Sequence, residues 1–491
     1  MGILKKVYHS SLVLLTDLYQ LTMAYGYWKS GLADREAVFH LFYRKKPFKG
    51  GYAISAGLEF VIDALEHFRY EQSDLNYLRT LKGSDGTDLF EESFIIYLQQ
   101  LQFQCSVDAI PEGRLAFENE PIIRVKGPLL QAQLIETILL NIINFQTLVA
   151  TKSARICHAA NGAPVMEFGL RRSQGIDGGL SASRAAYIGG CSATSNVLAG
   201  KLFGIPVKGT HAHSWVMSFS NELQAFEQYA AAMDNNCILL VDTYDTRQGI
   251  LNAIQVGNAL KRRGKLLLAI RIDSGDLAYL SQMAREMLDG AGLHDTKIIA
   301  SNDLDEFILE SLHDQNAKLD ALGIGTKLVT AYDQPALGGV YKLSALRNSR
   351  GEWESKIKLS EQTLKINIPG IQQVRRFYKN GQLVADMIYD VEDGCVSHPT
   401  IVDPNDATKS KEINIEGLDF EDLLIPIFQK GILVYKSPRL DELQDVVKSE
   451  LRRIHSGIKR FVNPHAYIVG LERGLYDKRL RLILEQRKLI S

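Results

Sequence analysis

A regular alternation of short apolar runs and helical stretches constrains the fold of this 491-residue chain more than any other feature. Between Val165 and Tyr341, each apolar run ends in polar residues and is followed by an amphipathic or small-residue stretch with helical spacing. Repeated strand–helix units of this kind predict an α/β fold with a parallel sheet. The predicted strand ends lie at residues 168–172, 210–213, 242–245, 271–276, 301–303 and 323–326.

The same region predicts an irregular (β/α) barrel. Helical candidates lie between the apolar runs; Leu280, Met283 and Met287, for example, have the spacing of one helix face that could cover a barrel. The carboxyl ends of the strands in a barrel form a single face, where catalytic side chains gather. We therefore expect the polar clusters, which are distant in sequence, to be neighbours in space.

The segments that flank this region predict a second structural unit. Before residue 147, helical patterns are mixed with alternating segments such as residues 36–43, a combination typical of an α+β domain. After residue 345 the chain is polar and rich in turns, and it ends in a helical tail. We expect an α+β cap domain at residues 1–147, the barrel at 148–345, and a C-terminal segment at 346–491 that packs with the cap domain.

Charge and cysteine usage argue against several classes of function. The formal net charge of -1 provides no broad basic surface for nucleic acid or an anionic membrane. The cysteines have neither the spacing of a disulfide framework nor that of a zinc site, which fits a reducing cytoplasm. The most apolar stretch, residues 134–145, is too short to span a bilayer. Asp17 interrupts the first apolar run and no cleavage site follows, so we expect a cytoplasmic protein without a leader.

Two of the polar clusters have the composition of phosphate and ribose sites. The glycines and the hydroxyl of residues 323–326 offer donors to a phosphate monoester, although a glycine pair at a strand end is also a common tight turn. Arg271, Asp273 and Asp276 surround a glycine turn, which suits ribose hydroxyls or a magnesium-bound pyrophosphate. The alternative for this second cluster is a helix cap with a solvated ion pair.

A histidine pair is the third candidate for chemistry. His211 and His213 lie on one side of an extended segment. They could chelate a metal, but no cysteine or third histidine is close in sequence, so an acid–base or nucleophilic role for one of them is preferred. Either histidine alone could be a hydrogen-bonded structural residue. Asp242, which follows the next apolar run, could orient an imidazole or serve as a turn carboxylate.

A series of motifs occurs in the order found in nicotinate phosphoribosyltransferases, and the chain therefore resembles that family. Each motif alone is ambiguous, whereas their joint order is specific. The motifs span nearly the whole chain and are TDLYQLT at residues 16–22, EFGLRR at 167–172, GTHAHSW at 209–215, VDTYD at 241–245, RIDSGD at 271–276, GIGT at 323–326, PALGGVYK at 335–342 and NPH at 463–465.

The resemblance implies a type II phosphoribosyltransferase that joins nicotinate to phosphoribosyl pyrophosphate, giving nicotinate mononucleotide and pyrophosphate in NAD biosynthesis. It also implies a cap domain on an irregular barrel and a head-to-tail homodimer with shared active sites. By similarity, Tyr19 of one subunit and Phe168 of the other sandwich the pyridine ring. Arg171 resembles the family arginine beside that ring, where its planar guanidinium suits a carboxylate.

The remaining substrate contacts are also implied by the resemblance. Arg271 and Asp273 resemble the ligands of phosphoribosyl pyrophosphate, with Asp276 as a helper. Magnesium is expected at Asp273 and Asp276, in part through substrate, and catalysis should rest on positioning and charge stabilisation. The other implied contacts are Thr194 and Ser195 at the pyridine pocket, Ser301 and Asn302 at ribose or phosphate, and Gly325 and Thr326 at the 5′-phosphate.

His213 resembles the family histidine that ATP phosphorylates, and Asp242 resembles its orienting partner. ATP is therefore expected as a co-substrate, and hydrolysis of the phosphohistidine would drive the ligation forward. The family usually has a non-histidine residue at the position of His211. The AHSW motif at residues 212–215 matches the family and indicates that His213 carries the reactive imidazole.

Other members of the same architecture are alternatives. A nicotinamide-using phosphoribosyltransferase places an aspartate where this chain has Ser195, and a carboxylate there would repel nicotinate. A catalytically silent regulatory homologue would share the fold without turnover, but the intact motifs argue against it. A barrel lyase or aldolase would need a Schiff-base lysine, for which Lys208 and Lys327 are the candidates at predicted strand ends.

Overall fold

The computed structural model describes residues 11–361, 366–395 and 398–488. The first ten residues, on which the expectation of a chain without a leader partly rests, lie outside this range. Contacts between residues divide the chain into two compact units. The parallel-sheet unit is Val149–Pro335, and the flanking unit is formed by the chain up to Leu148 and from Ala336 onward.

Strands and helices are numbered in chain order. The strands are β1 (Glu36–Tyr43), β2 (Ala53–Ile54), β3 (Ser106–Ala109), β4 (Leu115–Ala116), β5 (Ile123–Pro128), β6 (Val165–Glu167), β7 (Ala193–Thr194), β8 (Ile238–Leu240), β9 (Ala269–Ile272), β10 (Lys297–Asn302), β11 (Ala321–Ile324), β12 (Gly339–Arg347), β13 (Trp353–Ser355), β14 (Gln372–Lys379), β15 (Gln382–Asp390), β16 (Thr400–Asp403), β17 (Asp406–Glu412), β18 (Asp419–Asp422), β19 (Ile425–Gln429), β20 (Ile432–Leu433) and β21 (Val469–Glu472). The α-helices are α1 (Leu18–Lys29), α2 (Leu58–Glu66), α3 (Gln72–Thr80), α4 (Glu92–Gln100), α5 (Leu129–Leu134), α6 (Glu136–Ala159), α7 (Ile176–Ile188), α8 (Val197–Phe203), α9 (His213–Met217), α10 (Glu222–Ala232), α11 (Thr246–Arg262), α12 (Leu277–Gly290), α13 (Glu306–Asp314), α14 (Thr326–Val329), α15 (Leu440–Arg453) and α16 (Arg473–Lys488).

The parallel-sheet unit contains a six-stranded sheet in the order β7-β6-β11-β10-β9-β8. Each pair of neighbouring strands in it is parallel. β6 pairs with β11, with Glu167 aligned to Ile324, so the two ends of the alternating region lie side by side. The predicted α/β fold with a parallel sheet is confirmed.

The predicted strand ends agree with the sheet except at residues 210–213. The other polar clusters lie at the ends of β6, β8, β9, β10 and β11. The expected strand before His213 is wrong, because its run makes an isolated bridge between Thr194 and Val207 and His213 begins helix α9. Pro206 has no N–H to donate and Gly209 weakens extended pairing, so the apolar run is too short to form a strand.

Capping side chains fix where several helices of this unit begin, and therefore where the loops after the strands end. In each case a side-chain oxygen accepts a hydrogen bond from the backbone N–H three residues later. Caps of this kind stabilise a helix start by about 1 kcal/mol. The capping residues are Asn196, Asn221, Asp245, Asp276 and Asp305.

The flanking unit contains a seven-stranded antiparallel sheet and a six-stranded mixed sheet. The first has the order β13-β12-β1-β5-β3-β19-β20, and the second has the order β17-β16-β21-β15-β14-β18. β1 pairs with β12 over residues 37–43, so strands from the two parts of the chain that form this unit share one sheet. Within the described ranges, no helix is long and apolar enough to cross a membrane.

Gly249 sets the distance between helix α11 and the end of β8. A Cβ at this position would lie 2.0 Å from the backbone oxygen of Val241, which directly precedes the predicted site residue Asp242. We expect Gly249→Ala to destabilise the unit by about 1–3 kcal/mol, because the helix would have to move away from the sheet. Chemical denaturation followed by circular dichroism measures the change.

Gly178 in helix α7 provides the matched control. A Cβ there would meet nothing within 4 Å. Gly178→Ala, in the first turn of the helix, should therefore leave the stability unchanged or raise it by up to about 0.5 kcal/mol, since alanine has a higher helix propensity than glycine. Equal unfolding midpoints for the two variants would contradict the close packing of α11 on the sheet.

Candidate active site

A pocket of about 460 Å³ lies where the strands of the parallel sheet end. The loops after β6, β7, β9, β10 and β11 contribute to it, as does the segment 209–212. Polar clusters that are distant in sequence therefore meet in one place. Of the predicted site residues, those that line the pocket are Phe168, Arg171, Ser195, Arg271, Asp273, Ser301, Asn302, Gly325 and Thr326.

The aromatic wall of the pocket depends on a glycine in the neighbouring strand. A Cβ on Gly323 would lie 2.5 Å from the Phe168 ring, so the ring occupies space that any other residue would fill. The backbone N–H of Phe168 donates to the Ile324 carbonyl at 2.8 Å. Gly325, where a Cβ would lie 3.3 Å from the Phe168 carbonyl oxygen, directly precedes helix α14. The predicted ring-binding and phosphate-binding loops are therefore packed against each other.

Arg271 is a partly buried cation of the pocket. Its Nη1 donates to the Thr210 hydroxyl at 2.6 Å, and its Nη2 lies 3.9 Å from Asp273 Oδ1. Its buried Nε has no hydrogen-bond partner among the described residues. Burial lowers the pKa of the guanidinium, and the positive charge of Arg171 adds to this effect. An anionic ligand would accept a hydrogen bond from the unpaired Nε and would reduce the repulsion between the two arginines.

The carboxylates near Arg271 are held in different ways. Asp273 accepts a short hydrogen bond from the Ser301 hydroxyl. Asp242 accepts hydrogen bonds from the Asp273 N–H at 2.9 Å and the Ser274 hydroxyl at 2.6 Å. Its other oxygen is buried and has no hydrogen-bond partner in the described part of the chain. Asp276 caps helix α12 through the Tyr279 N–H and does not line the pocket.

The two histidines have different environments. His211 is buried, its Nε2 accepts the Leu240 N–H at 3.2 Å, and burial lowers its pKa to about 4. It is therefore neutral at pH 7, with one nitrogen already used as an acceptor. The His213 side chain is 40% exposed, and its Nε2 lies 3.8 Å from Asp273 Oδ2. Its Nδ1 lies 3.1 Å from the Thr243 hydroxyl, whereas Asp242 accepts its hydrogen bonds from Asp273 and Ser274.

Thr194 and Ser195 face different surroundings although they are adjacent. Ser195 lines the pocket. Thr194 is fully buried, and its hydroxyl donates to Glu167 Oε2 at 2.6 Å. Any effect of the Thr194 side chain on a bound ring would therefore be indirect, through the residues that it hydrogen-bonds.

Several groups of the site were missed by the sequence analysis. Most belong to the same motifs as the predicted residues, and sequence adjacency was the available signal. Thr243 was not expected at the histidine, because a motif does not specify which side chain of a loop reaches a given atom. Further missed groups that line the pocket or contact its residues are Glu167, Leu170, Arg172, Thr210, Thr243, Ser274 and Asp303.

Tyr19 and the expected magnesium ligands complete the predicted set. Tyr19 lies in helix α1 of the flanking unit and is 49% exposed. No group of three or more His, Cys, Asp or Glu side chains that could hold a metal ion occurs in the described part of the chain. The binding roles of Tyr19, Asp273 and Asp276 stay predictions.

Three family models match successive parts of the chain. They describe the nicotinate phosphoribosyltransferase N-terminal domain at residues 14–144, the family itself at residues 164–358, and the C-terminal domain at residues 371–479. A nicotinate phosphoribosyltransferase of Bacillus subtilis is 44% identical, covering 98% of this chain and 97% of the relative. One of Caenorhabditis elegans is 37% identical, covering 94% and 92%.

A solved structure agrees with these sequence matches. The crystal structure of human nicotinic acid phosphoribosyltransferase superimposes with a TM-score of 0.84 at 32% identity, covering 95% of this chain and 99% of that one. Both the sequence and the backbone are thus similar over nearly their full lengths. The chain belongs to the nicotinate phosphoribosyltransferase family.

Proposed function

We propose that the protein joins nicotinate to phosphoribosyl pyrophosphate, giving nicotinate mononucleotide and pyrophosphate. The observation that carries this proposal is the meeting of Phe168, Arg171, Arg271 and Thr326 around one pocket. An aromatic face, two guanidinium groups and a glycine-rich loop provide complementary surfaces for a pyridine ring, carboxylate and phosphate. Membership of the family supports the same activity.

The ring nitrogen of nicotinate is a nucleophile without prior deprotonation. It would attack C1′ of the ribose as the C1′–oxygen bond to pyrophosphate breaks, so no strong general base is needed. Catalysis would then rest on orientation and on stabilising the separated charges. Arg271, whose Nε lacks a hydrogen-bond partner among the described residues, would bind anionic oxygen of the phosphoribosyl substrate.

The available carboxylate oxygens favour magnesium that binds together with the pyrophosphate group of the substrate over magnesium that is held by protein ligands alone. Asp273 borders the pocket and donates its N–H to Asp242, whose other oxygen has no hydrogen-bond partner among the described residues. Asp276 uses one oxygen as a helix cap, which leaves its other oxygen as a candidate ligand. Bound magnesium would neutralise charge on the leaving pyrophosphate. In this proposal Asp273 is the principal protein ligand.

We also propose ATP as a co-substrate that phosphorylates His213. Thr243 lies at Nδ1, so Nε2, on the side of Asp273, is the nitrogen left to accept a phosphoryl group. His211 is a poorer candidate because its Nε2 already accepts a backbone N–H. Asp242 would act on the imidazole through its contact with Asp273 rather than directly.

The strand pairing supports the proposal that the parallel sheet is an irregular barrel. β7 and β8 are the edges of the hydrogen-bonded sheet. The Lys208 N–H donates to the Thr194 carbonyl at 3.0 Å, and the Leu240 N–H donates to His211 Nε2 at 3.2 Å. The segment between these residues would therefore replace a strand between the two edges. The flanking unit, with its helices and antiparallel pairs, would be the α+β cap domain.

A homodimer with shared active sites is the proposed assembly, and the cytoplasm is the proposed location. Tyr19 is a half-exposed aromatic residue outside the parallel-sheet unit, which suits contact with a site in another subunit. The five cysteines all lie within the described residues, and each is a free thiol. Reduced cysteines are usual in cytoplasmic proteins.

A product assay tests the proposed function. The purified protein is incubated with phosphoribosyl pyrophosphate and magnesium, and nicotinate, nicotinamide and quinolinate are supplied separately, with and without ATP. We expect nicotinate mononucleotide as the main product, formed faster with ATP. Preferential use of nicotinamide would favour the nicotinamide-using class, and absence of product would favour the silent homologue.

Ser195→Asp should lower kcat/KM for nicotinate by about 10–100-fold, because it would place like charges in a desolvated pocket. Steady-state kinetics with nicotinate and nicotinamide measure the change. Ser195→Asn is the control, since it is similar in size but neutral. Unchanged nicotinate kinetics in the aspartate variant would show that the substrate carboxylate binds away from Ser195.

His213→Ala should abolish acid-labile phosphate incorporation and stimulation by ATP, while ATP-independent synthesis persists. The reason is that the histidine couples ATP hydrolysis to the reaction and does not perform the displacement. His211→Leu is the matched variant and should retain phosphorylation. Labelled phosphate that survives in the first variant and disappears in the second would reverse the assignment of the two imidazoles.

Complementation between inactive chains should reveal shared sites. Tyr19→Ala and His213→Ala chains, each poor in ATP-coupled synthesis, are co-expressed in equal amounts. About half of randomly formed dimers are mixed and each has one intact site, so coupled activity should recover to roughly a quarter of wild type. No recovery, with mixed dimers verified by mass, would place Tyr19 outside the partner's site.

A further inference from the structure

Glu167 is a buried carboxylate at the end of β6 that no catalytic step described above uses. It has no exposed surface. Its Oε1 accepts a short hydrogen bond from the Gly169 N–H. Its Oε2 accepts the Ser183 hydroxyl at 2.8 Å and the Thr194 hydroxyl at 2.6 Å. Both oxygens are therefore occupied by donors from three separate segments.

The ligands of this carboxylate are neutral. Among the described residues, its hydrogen-bond donors are one backbone N–H and two hydroxyl groups, none of them charged. A buried carboxylate without a cation is stabilised only by the donors around it, so those donors must be held in place. An amide in its place would carry no charge and would turn its N–H₂ group toward either the Gly169 N–H or the two hydroxyls, so at least one of the three hydrogen bonds would be lost or reversed in direction.

The same carboxylate connects the two loops that form the pyridine side of the pocket. Gly169 lies between Phe168 and Arg171, which both line the pocket. Thr194 directly precedes Ser195, whose N–H donates to the Glu167 carbonyl at 2.9 Å. Displacing Glu167 would therefore shift both walls at once.

A second layer of hydrogen bonds strengthens this connection. The Asn196 N–H donates to the Thr194 hydroxyl at 3.0 Å, and its Nδ2 donates to the Ser183 hydroxyl at 3.2 Å. Its Oδ1 caps helix α8 by accepting the Ala199 N–H. The loop that contains Ser195 is thus tied to helices α7 and α8 as well as to β6.

We propose that Glu167 is a positioning residue that sets acid-over-amide selectivity by fixing Arg171 and Ser195 relative to Phe168. The carboxylate does not contact the substrate. It keeps the guanidinium loop and the serine loop at one separation, at which a planar carboxylate fits between them. This inference rests on the proposed function, because selectivity is defined only for an enzyme that uses nicotinate.

Glu167→Gln should raise KM for nicotinate about tenfold and lower the nicotinate-to-nicotinamide ratio of kcat/KM about tenfold, because the loops lose a charge-assisted hydrogen bond. KM for phosphoribosyl pyrophosphate should change by less than about twofold, since Arg271 lies in β9, Thr326 begins helix α14, and the side-chain hydrogen bonds of Glu167 go to neither. Steady-state kinetics with each substrate varied in turn measure this split.

Two further variants distinguish positioning from a general loss of structure. Ser183→Ala removes one hydrogen-bond donor and keeps the charge of Glu167, so it should lower the nicotinate-to-nicotinamide ratio of kcat/KM by about threefold. If the Glu167→Gln variant does not fold, this variant tests the positioning role. Glu222→Gln is the matched control. Glu222 is a buried carboxylate of the same unit that accepts the Asn252 amide at 2.9 Å, and it does not line the pocket. The Glu222→Gln variant should have the wild-type nicotinate-to-nicotinamide ratio of kcat/KM.

Glu167→Gln and Ser183→Ala variants that lose activity equally with both pyridines, or that retain the wild-type ratio, would overturn the positioning role. The proposed function would fail differently. In that case the wild-type protein itself would form no nicotinate mononucleotide, whereas failure of the positioning role leaves the wild-type enzyme active and selective.

Discussion

The pairing of β6 with β11 is the contact on which the site depends. It places the first and last strands of the alternating region next to each other, so the Phe168 loop and the Gly325 loop pack directly together. Gly323 allows this approach, since a side chain there would overlap the Phe168 ring. Because the strands are parallel, all their carboxyl ends open on one side, and one pocket collects groups from most of the unit.

Attraction of anionic substrates depends on individual charged residues of the pocket and not on the net charge of the protein. The formal net charge is -1, so no long-range field draws anionic substrates toward the chain. Instead, Arg271 is partly buried beside Thr210 and Asp273, and its Nε is buried with no hydrogen-bond partner in the described structure. A desolvated guanidinium interacts more strongly with a phosphate than a surface arginine does. The buried Glu167 carboxylate is balanced differently, by neutral donors that connect the pocket walls.

Sequence reasoning anticipated the parallel sheet and most of its strand ends, because apolar periodicity and polar clusters report directly on burial. It failed at residues 206–213, where a proline and a glycine interrupt an otherwise extended run. The residue pattern alone could not separate His211 from His213, a choice that rested on the family resemblance, since burial of one imidazole depends on a contact with Leu240 that is distant in sequence. The long-range pairing of β1 with β12 likewise joins segments about 300 residues apart, and local patterns carry no register information over such a distance.

The central claim is that one pocket at the ends of the parallel strands holds both the pyridine ring and the phosphoribosyl group. A crystal structure of the protein with nicotinate mononucleotide tests this claim most directly. We expect the 5′-phosphate at Gly325 and Thr326, the ring against Phe168, and the carboxylate beside Arg171. Nucleotide bound elsewhere on the chain, or bound here with its ring away from Phe168, would contradict the account.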